Sequence, residues 1–128
     1  MIKNILLVDD DPISQLIASK LIRKFETDIT ISSHLNGKVA LEFLTKEFND
    51  LDSFIVLLDI NMPVMNGWEF LDELAQVSFC AKIKIYIVSS STDEEDLLKA
   101  STYTNVAKFI SKPIKNKDYE EILDLPFK

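Results

Sequence analysis

The chain has 128 residues, the length of one ordinary domain, and 47% of them are hydrophobic, enough to bury a core. Fourteen basic residues against 21 acidic ones leave a formal charge of −7, which argues against unspecific nucleic-acid binding, since that needs clustered Lys and Arg. No apolar run approaches the roughly 18 residues that cross a bilayer. The Met1–Asn4 start has no small-residue cleavage site after it, so no signal peptide is read. Cys80 is the single cysteine, which rules out an internal disulfide. The expectation is a cytoplasmic protein with no membrane insertion and no direct nucleic-acid contact.

Taken in chain order, short β-branched runs alternate with helical periods. Lys3–Val8 reads as a strand and Pro12–Phe25 as a helix, with Ile13, Leu16, Ile17 and Leu21 at helical spacing. Proline is tolerated in the first helical turn, where its missing N–H costs little. Asp28–Ser33 reads as a second, more polar strand near an edge, and Asn36-Gly37 is a turn signal. Val39, Ala40, Phe43 and Leu44 give the next helix its apolar face. Ser53–Leu58 is apolar without alternation, the mark of a strand covered on both faces. Pro63 and Asn66-Gly67 punctuate a loop, and Trp68, Leu71 and Ala75 carry a third helix.

Ile83–Val88 is the fourth strand. Thr92-Asp93-Glu94-Glu95 matches a capping box with Thr92 as N-cap, opening a short helix over Asp93–Ala100. Ser101–Asn105 is a polar loop, Val106–Ile110 the fifth strand, and Asn116–Leu123 a final helix of about two turns. Regular βα alternation predicts a doubly wound α/β sheet with right-handed crossovers.

Four of the strand-like runs end in a reactive group. Ile5–Val8 is followed by Asp9-Asp10-Asp11, Phe54–Leu58 by Asp59, Ile85–Val88 by Ser89, and Val106–Ile110 by Lys112-Pro113. In an open parallel sheet these C-terminal ends share the edge where sites form. Mg²⁺ takes hard oxygen ligands in octahedral geometry, and Asp9, Asp10 and Asp59 meet that need. Asp59 is the candidate nucleophile, since carboxylates form acyl-phosphate intermediates, and Lys112 offers a point charge for a phosphoryl oxygen. Ser89 offers a hydroxyl. Each residue also has a plainer reading: helix caps for Asp9–Asp11, a turn before Pro63 for Asp59, a solvated lysine for Lys112, and loop for Ser89 with the hydroxyls after it.

The segments Ile5–Pro12, Leu57–Pro63 with Asn66-Gly67, Val88-Ser89 and Lys112-Pro113, in this order and spacing, resemble the receiver domain of two-component response regulators over essentially the whole chain. The resemblance implies a flavodoxin-like, five-stranded parallel sheet in order 2-1-3-4-5, and one receiver domain over residues 1–128 with no output domain. It implies Asp59 as phosphoacceptor, with Asp9, Asp10, Asp59 and the backbone carbonyl of Asn61 around Mg²⁺, Asp10 directly and Asp9 through water. Lys112 becomes the phosphate-pairing lysine, followed by a bond to Pro113 that is often cis in this family. Ser89 and Phe109 become the switch pair. Ser89 stands where threonine is commoner, which keeps the hydroxyl, and Asn66 replaces a frequent aspartate. The Ser101–Asn105 stretch is slightly long and the last helix short, which bears on the output face.

The reading is a phosphorelay signalling protein, not an enzyme beyond its own phosphorylation and dephosphorylation. Its partners are a histidine kinase or histidine phosphotransfer protein and an unnamed downstream protein, and it is a monomer or a phosphorylation-dependent dimer. A haloacid-dehalogenase-type phosphatase is the first rival, with Asp9 as nucleophile. That family needs a later acidic pair on a strand end, whereas Asp118, Glu120 and Glu121 fall on a helix-like segment. A receiver fold that binds partners without phosphate is the second rival, and the full set of acids and lysine speaks against it. A flavin carrier is disfavoured because Asp9–Asp11 would repel its phosphate. His34 is read as the end of an edge strand, Trp68 as packing on the third helix, and Asp93–Asp96 as a helix N-terminus.

Overall fold

The computed structural model describes residues 2–90 and 93–123. Its elements, in chain order, are β1 (Lys3–Val8), α1 (Pro12–Phe25), β2 (Ile29–His34), α2 (Gly37–Glu47), β3 (Ser53–Leu58), α3 (Gly67–Leu74), a 3-10 turn at Cys80–Lys82, β4 (Ile83–Ser89), α4 (Glu94–Ala100), β5 (Val106–Ser111) and α5 (Asn116–Leu123). The five strands are parallel in the order β2-β1-β3-β4-β5. Among the described residues no helix is long and apolar enough to cross a membrane.

Burial explains the order. β1, β3 and β4 are the most apolar runs and lie at the centre, where both faces must be covered. β2 and β5 carry exposed residues such as Thr30, Ser33, Ala107 and Lys108, and lie at the edges. Side chains alternate along each central strand. Leu6, Val8, Val56, Leu58, Ile85 and Ile87 face one way and pack with Ala40, Leu44, Phe70, Leu71 and Leu74 of α2 and α3. Ile5, Leu7, Ile55, Leu57, Tyr86 and Val88 face the other way, toward Ile22 of α1 and Tyr119, Ile122 and Leu123 of α5.

Capping residues set where the helices begin. Asp11 caps α1, accepting from the Ile13 amide at 3.0 Å and the Ser14 hydroxyl at 3.1 Å. Those bonds, the Ile13 amide first, hold its carboxyl below the usual carboxylate range. The cap is thus supplied by the third acid, and Asp9 and Asp10 are left for other work. Asn36 caps α2, and Asn66 with Glu69 forms a reciprocal capping box on α3.

Several sequence expectations need correction. The buried face of α1 is Gln15 and Ile22, with Ala18, Leu21 and Phe25 partly covered, while Ile13, Leu16 and Ile17 are 70%, 55% and 54% exposed. Two apolar stripes fit the helical period, and contact with β1 and α5 selects the other one. Val39 and Ala75 are exposed because α2 and α3 turn Ala40, Leu44, Phe70 and Leu74 inward instead. β2 runs one residue later, ending at His34, and β4 and β5 each gain one residue, Ser89 and Ser111, because these two pair with each other. The N-cap of α4 is Asp93, whose carboxylate accepts from the Glu95 amide at 3.1 Å; Thr92 lies outside the described residues. His34 ends the edge strand, as read, but is buried against Phe43, and burial pushes its imidazole pKa down. Trp68 is half-buried, stacked on Tyr103 at 6.0 Å with the Lys99 ammonium over its ring at 4.8 Å.

Candidate functional site

β1 and β3 are neighbours in parallel register, with Val8 opposite Leu58. The next residue of each strand is an acid, so the register itself brings Asp9 beside Asp59. The Asp59 amide donates to the Val8 carbonyl at 2.9 Å, and the Asp9 amide to the His34 carbonyl at 3.1 Å. Carboxylate oxygens of Asp9, Asp10 and Asp59 lie within 4.8 Å of one another. Asp10 is exposed, Asp9 half-buried and Asp59 buried, at 8% exposure.

Lys112 arrives from the far edge of the sheet. Ser111 pairs with Ser89, and the Lys112 amide donates to the Ser89 carbonyl at 2.9 Å, which extends the ladder one residue beyond β5. From there its ammonium lies 3.1 Å from Asp9 Oδ2 and 3.7 Å from Asp59 Oδ2. The Lys112–Pro113 bond is cis. Three carboxylates against one ammonium leave a deficit of two positive charges, which is what one divalent cation carries.

The electrostatics follow from this crowding. Burial, followed by the charges of Asp9 and Asp10, raises the Asp59 pKa above the usual carboxylate value, although Lys112 and the Asn61 amide pull the other way. That amide donates to Asp59 Oδ1 at 3.2 Å. Burial works against the charge of Lys112, yet its hydrogen bond to Asp9 and the field of Asp59 and Asp9 outweigh it and raise its pKa.

The loop after Asp59 is held by close approach. The Gly67 amide donates to the Ile60 carbonyl at 2.8 Å. A Cβ on Gly67 would stand 2.7 Å from Ile60 Cα and 2.8 Å from the Asp59 carbonyl oxygen, so only glycine fits. Val64, in the same loop, has φ of 69°, a left-handed conformation that costs a β-branched residue energy.

Asp9, Asp10, Asp59 and Lys112 are therefore brought together. Asn61 adjoins them through its amide, and Ser89 ends β4, the next strand over, fully buried. Phe109 is not in the cluster: it lies on β5 opposite Ile87, half-buried against the core on the α2 and α3 side. Sequence reasoning missed two residues. Gln15 is buried beneath Asp9, and its only signal is a polar residue in the 15-18-22 stripe. Gly67 was read as a turn former, whereas its position is set by contact with the Asp59 and Ile60 backbone.

Comparison with known proteins agrees with this geometry. A family model described as response regulator receiver domain matches residues 5–124. The nitrate/nitrite response regulator protein NarL of Escherichia coli is 38% identical over 97 residues, which cover 75% of this chain and 42% of that protein. The chain thus spans less than half the length of that relative. The chemotaxis protein CheY of Thermotoga maritima is 28% identical over 122 residues, covering 95% of each. The crystal structure of a two-component response regulator from Cytophaga hutchinsonii superposes with a TM-score of 0.84 at 29% identity, covering 96% of this chain and 95% of that one. With the family matched over nearly all of its length and the sheet order and acid cluster in place, the chain belongs to the response regulator receiver domain family.

Proposed function

We propose that the chain accepts a phosphoryl group on Asp59 from the phosphohistidine of a histidine kinase or histidine phosphotransfer protein, with Mg²⁺ bound, and relays the change to a downstream protein. The observation that carries this reading is the convergence of Asp9, Asp10 and Asp59 within 4.8 Å, with Lys112 set across two of them.

The donor set suits Mg²⁺. Asp9, Asp10 and Asp59 would supply the hard carboxylate oxygens that this ion prefers. Asp10 and Asp59 are assigned as direct ligands, Asp9 as a ligand through water, and the Asn61 carbonyl as a further ligand. When bound, the ion supplies positive charge that offsets repulsion between the acceptor and the incoming phosphoryl group.

Every other step falls to the chain's own side chains. An Asp59 carboxylate oxygen attacks phosphorus. The new O–P bond forms as the donor's N–P bond breaks, and the electron pair leaves on the imidazole, which takes up a proton. Lys112 loses part of its attraction to Asp59 as that carboxylate becomes an acyl phosphate, and turns to a phosphoryl oxygen. Ser89 donates its hydroxyl to the same group. The added charge, about −1.5 to −2, biases two arrangements of Ser89 and Phe109, and a partner protein reads the difference. Exposed Ile13, Leu16 and Ile17, on the helix that Asp11 caps, support a protein donor, since three large apolar side chains together on a surface favour a docking partner.

The test is phosphate incorporation from a small acyl-phosphate donor with Mg²⁺, read by intact mass, in wild type and Asp59→Asn. Incorporation in wild type alone is expected. Equal incorporation in both would place the acceptor elsewhere and end this reading.

A further inference from the structure

Gln15 stands out on α1. It is 7% exposed, on the buried face of a helix, and its side-chain nitrogen lies 2.8 Å from the His34 carbonyl, 2.9 Å from the Asp9 carbonyl and 3.1 Å from the Leu7 carbonyl. An amide nitrogen carries two hydrogens, so three acceptors at these distances share them, at least one hydrogen being divided between two carbonyls. The His34 carbonyl also accepts from the Asp9 amide. The peptide units on both sides of the Asp9 Cα are thus tied down: one through its N–H to the end of β2, the other through its carbonyl to α1. Asp10 begins at that tethered carbonyl.

We propose that Gln15 is a positioning residue for the acidic pair, fixing the main chain from which Asp9 and Asp10 project so that their carboxylates are set for a divalent cation before it arrives. The inference rests on the phosphoacceptor reading. The cluster contains mutually repelling carboxylates, and such groups splay apart unless something holds them. Lys112 restrains Asp9 by charge from outside, and Asp11 offers an amide to Asp9 Oδ1 at 2.9 Å. Neither fixes the backbone. Gln15 does, from within the fold, by donating to three main-chain carbonyls that converge on its side-chain nitrogen. Groups that orient metal ligands without touching the metal govern affinity strongly.

The experiment is calorimetric titration of Mg²⁺ into wild type, Gln15→Met and Ile22→Val, each with its melting temperature. Methionine keeps the length and apolar stem of glutamine and loses both donors. Ile22→Val trims the same buried face of α1 away from the acids and controls for general loss of stability. The expected result is Mg²⁺ affinity weakened about tenfold in Gln15→Met and unchanged in Ile22→Val. Gln15→Met affinity within about twofold of wild type, or an equal fall in both variants, would overturn the proposal. A wild type with no saturable Mg²⁺ binding would overturn the phosphoacceptor reading and this inference with it. Should Gln15→Met fail to fold, wild-type NMR decides. Slow exchange of the Gln15 side-chain protons, shifting with Mg²⁺ in step with the Asp9 and Asp10 amides, supports positioning; free exchange and no response to Mg²⁺ refutes it.

Discussion

Against one face of the sheet, α2 and α3 lay down Ala40, Leu44, Phe70, Leu71 and Leu74, all buried and in one continuous core with β1, β3 and β4. Against the other, α1 and α5 meet incompletely. Between them lies a cavity of about 410 Å³ lined by Leu7, Leu57, Ala18, Leu21 and Tyr119 and also by Asp9, Asp59 and Lys112. The first face fixes the strands, including the loop that seats Gly67 under Asp59. The second leaves room beside the acids and keeps a helix with apolar side chains facing outward. Rigidity and access are thus divided between the two sides of one sheet.

The largest expected effect lies on the packed side. Phe70→Ala removes a fully buried ring and should cost about 3–5 kcal/mol, seen as a lower urea midpoint at constant slope. A loss below about 1 kcal/mol would mean that this face is no better filled than the other. Next comes Gly67→Ala. Its Cβ meets backbone at 2.7 and 2.8 Å, so overpacking should cost about 1–3 kcal/mol. Phosphate incorporation should fall further than stability does, because the displaced atoms belong to Asp59 and Ile60. Unchanged incorporation would separate the glycine from the site.

Asp59→Asn should act more gently and with the opposite sign. Burial, then Asp9 and Asp10, raises the native Asp59 pKa above its unfolded value of 3.8. The native state therefore binds this proton more tightly than the unfolded state, and stability falls as pH rises from 3.8 through the native value. Asparagine removes that penalty. In the absence of divalent ions the variant should melt above wild type near neutral pH, with the gap closing as pH falls toward 3.8; a gap that widens on acidification would reverse the sign. The smallest effect is expected for Ile17→Ala, 54% exposed on the open side. Stability should stay within about 0.5 kcal/mol and labelling by a small donor unchanged, while transfer from a phosphorylated protein donor slows. A marked loss of stability would show that α1 is packed after all.

The central strands were legible because burial on two faces leaves little but apolar residues, as in Phe54–Leu58 and Ile83–Val88. Asp9, Asp59 and Ser89 were legible because each directly follows such a run in the sequence, and parallel register brings the first two together; Lys112 was legible from its place just past the edge strand. α1 was harder to read. Its sequence offers two stripes a fraction of a turn apart, and the one without a polar residue is the one facing solvent. Choosing the other needs the position of the Leu7, Asp9 and His34 carbonyls, which repay a buried glutamine and belong to three points of the chain that only the fold brings together. The start of α4 was misread for a local reason: Thr92 and Asp93 are both good caps, and the Thr92-to-Glu95 capping-box spacing favoured the first.

The seat of Gly67 has one more implication. A hydrogen atom is the largest substituent that fits beneath residues 59 and 60, so the main chain at Asp59 serves as the fixed point of a lever. If Asp59 gains the proposed phosphoryl charge, the displacement has to appear in neighbours that can swing, and the Lys112 side chain, partly open to solvent and held by its hydrogen bond to Asp9 and the charge of Asp59, is the first of them.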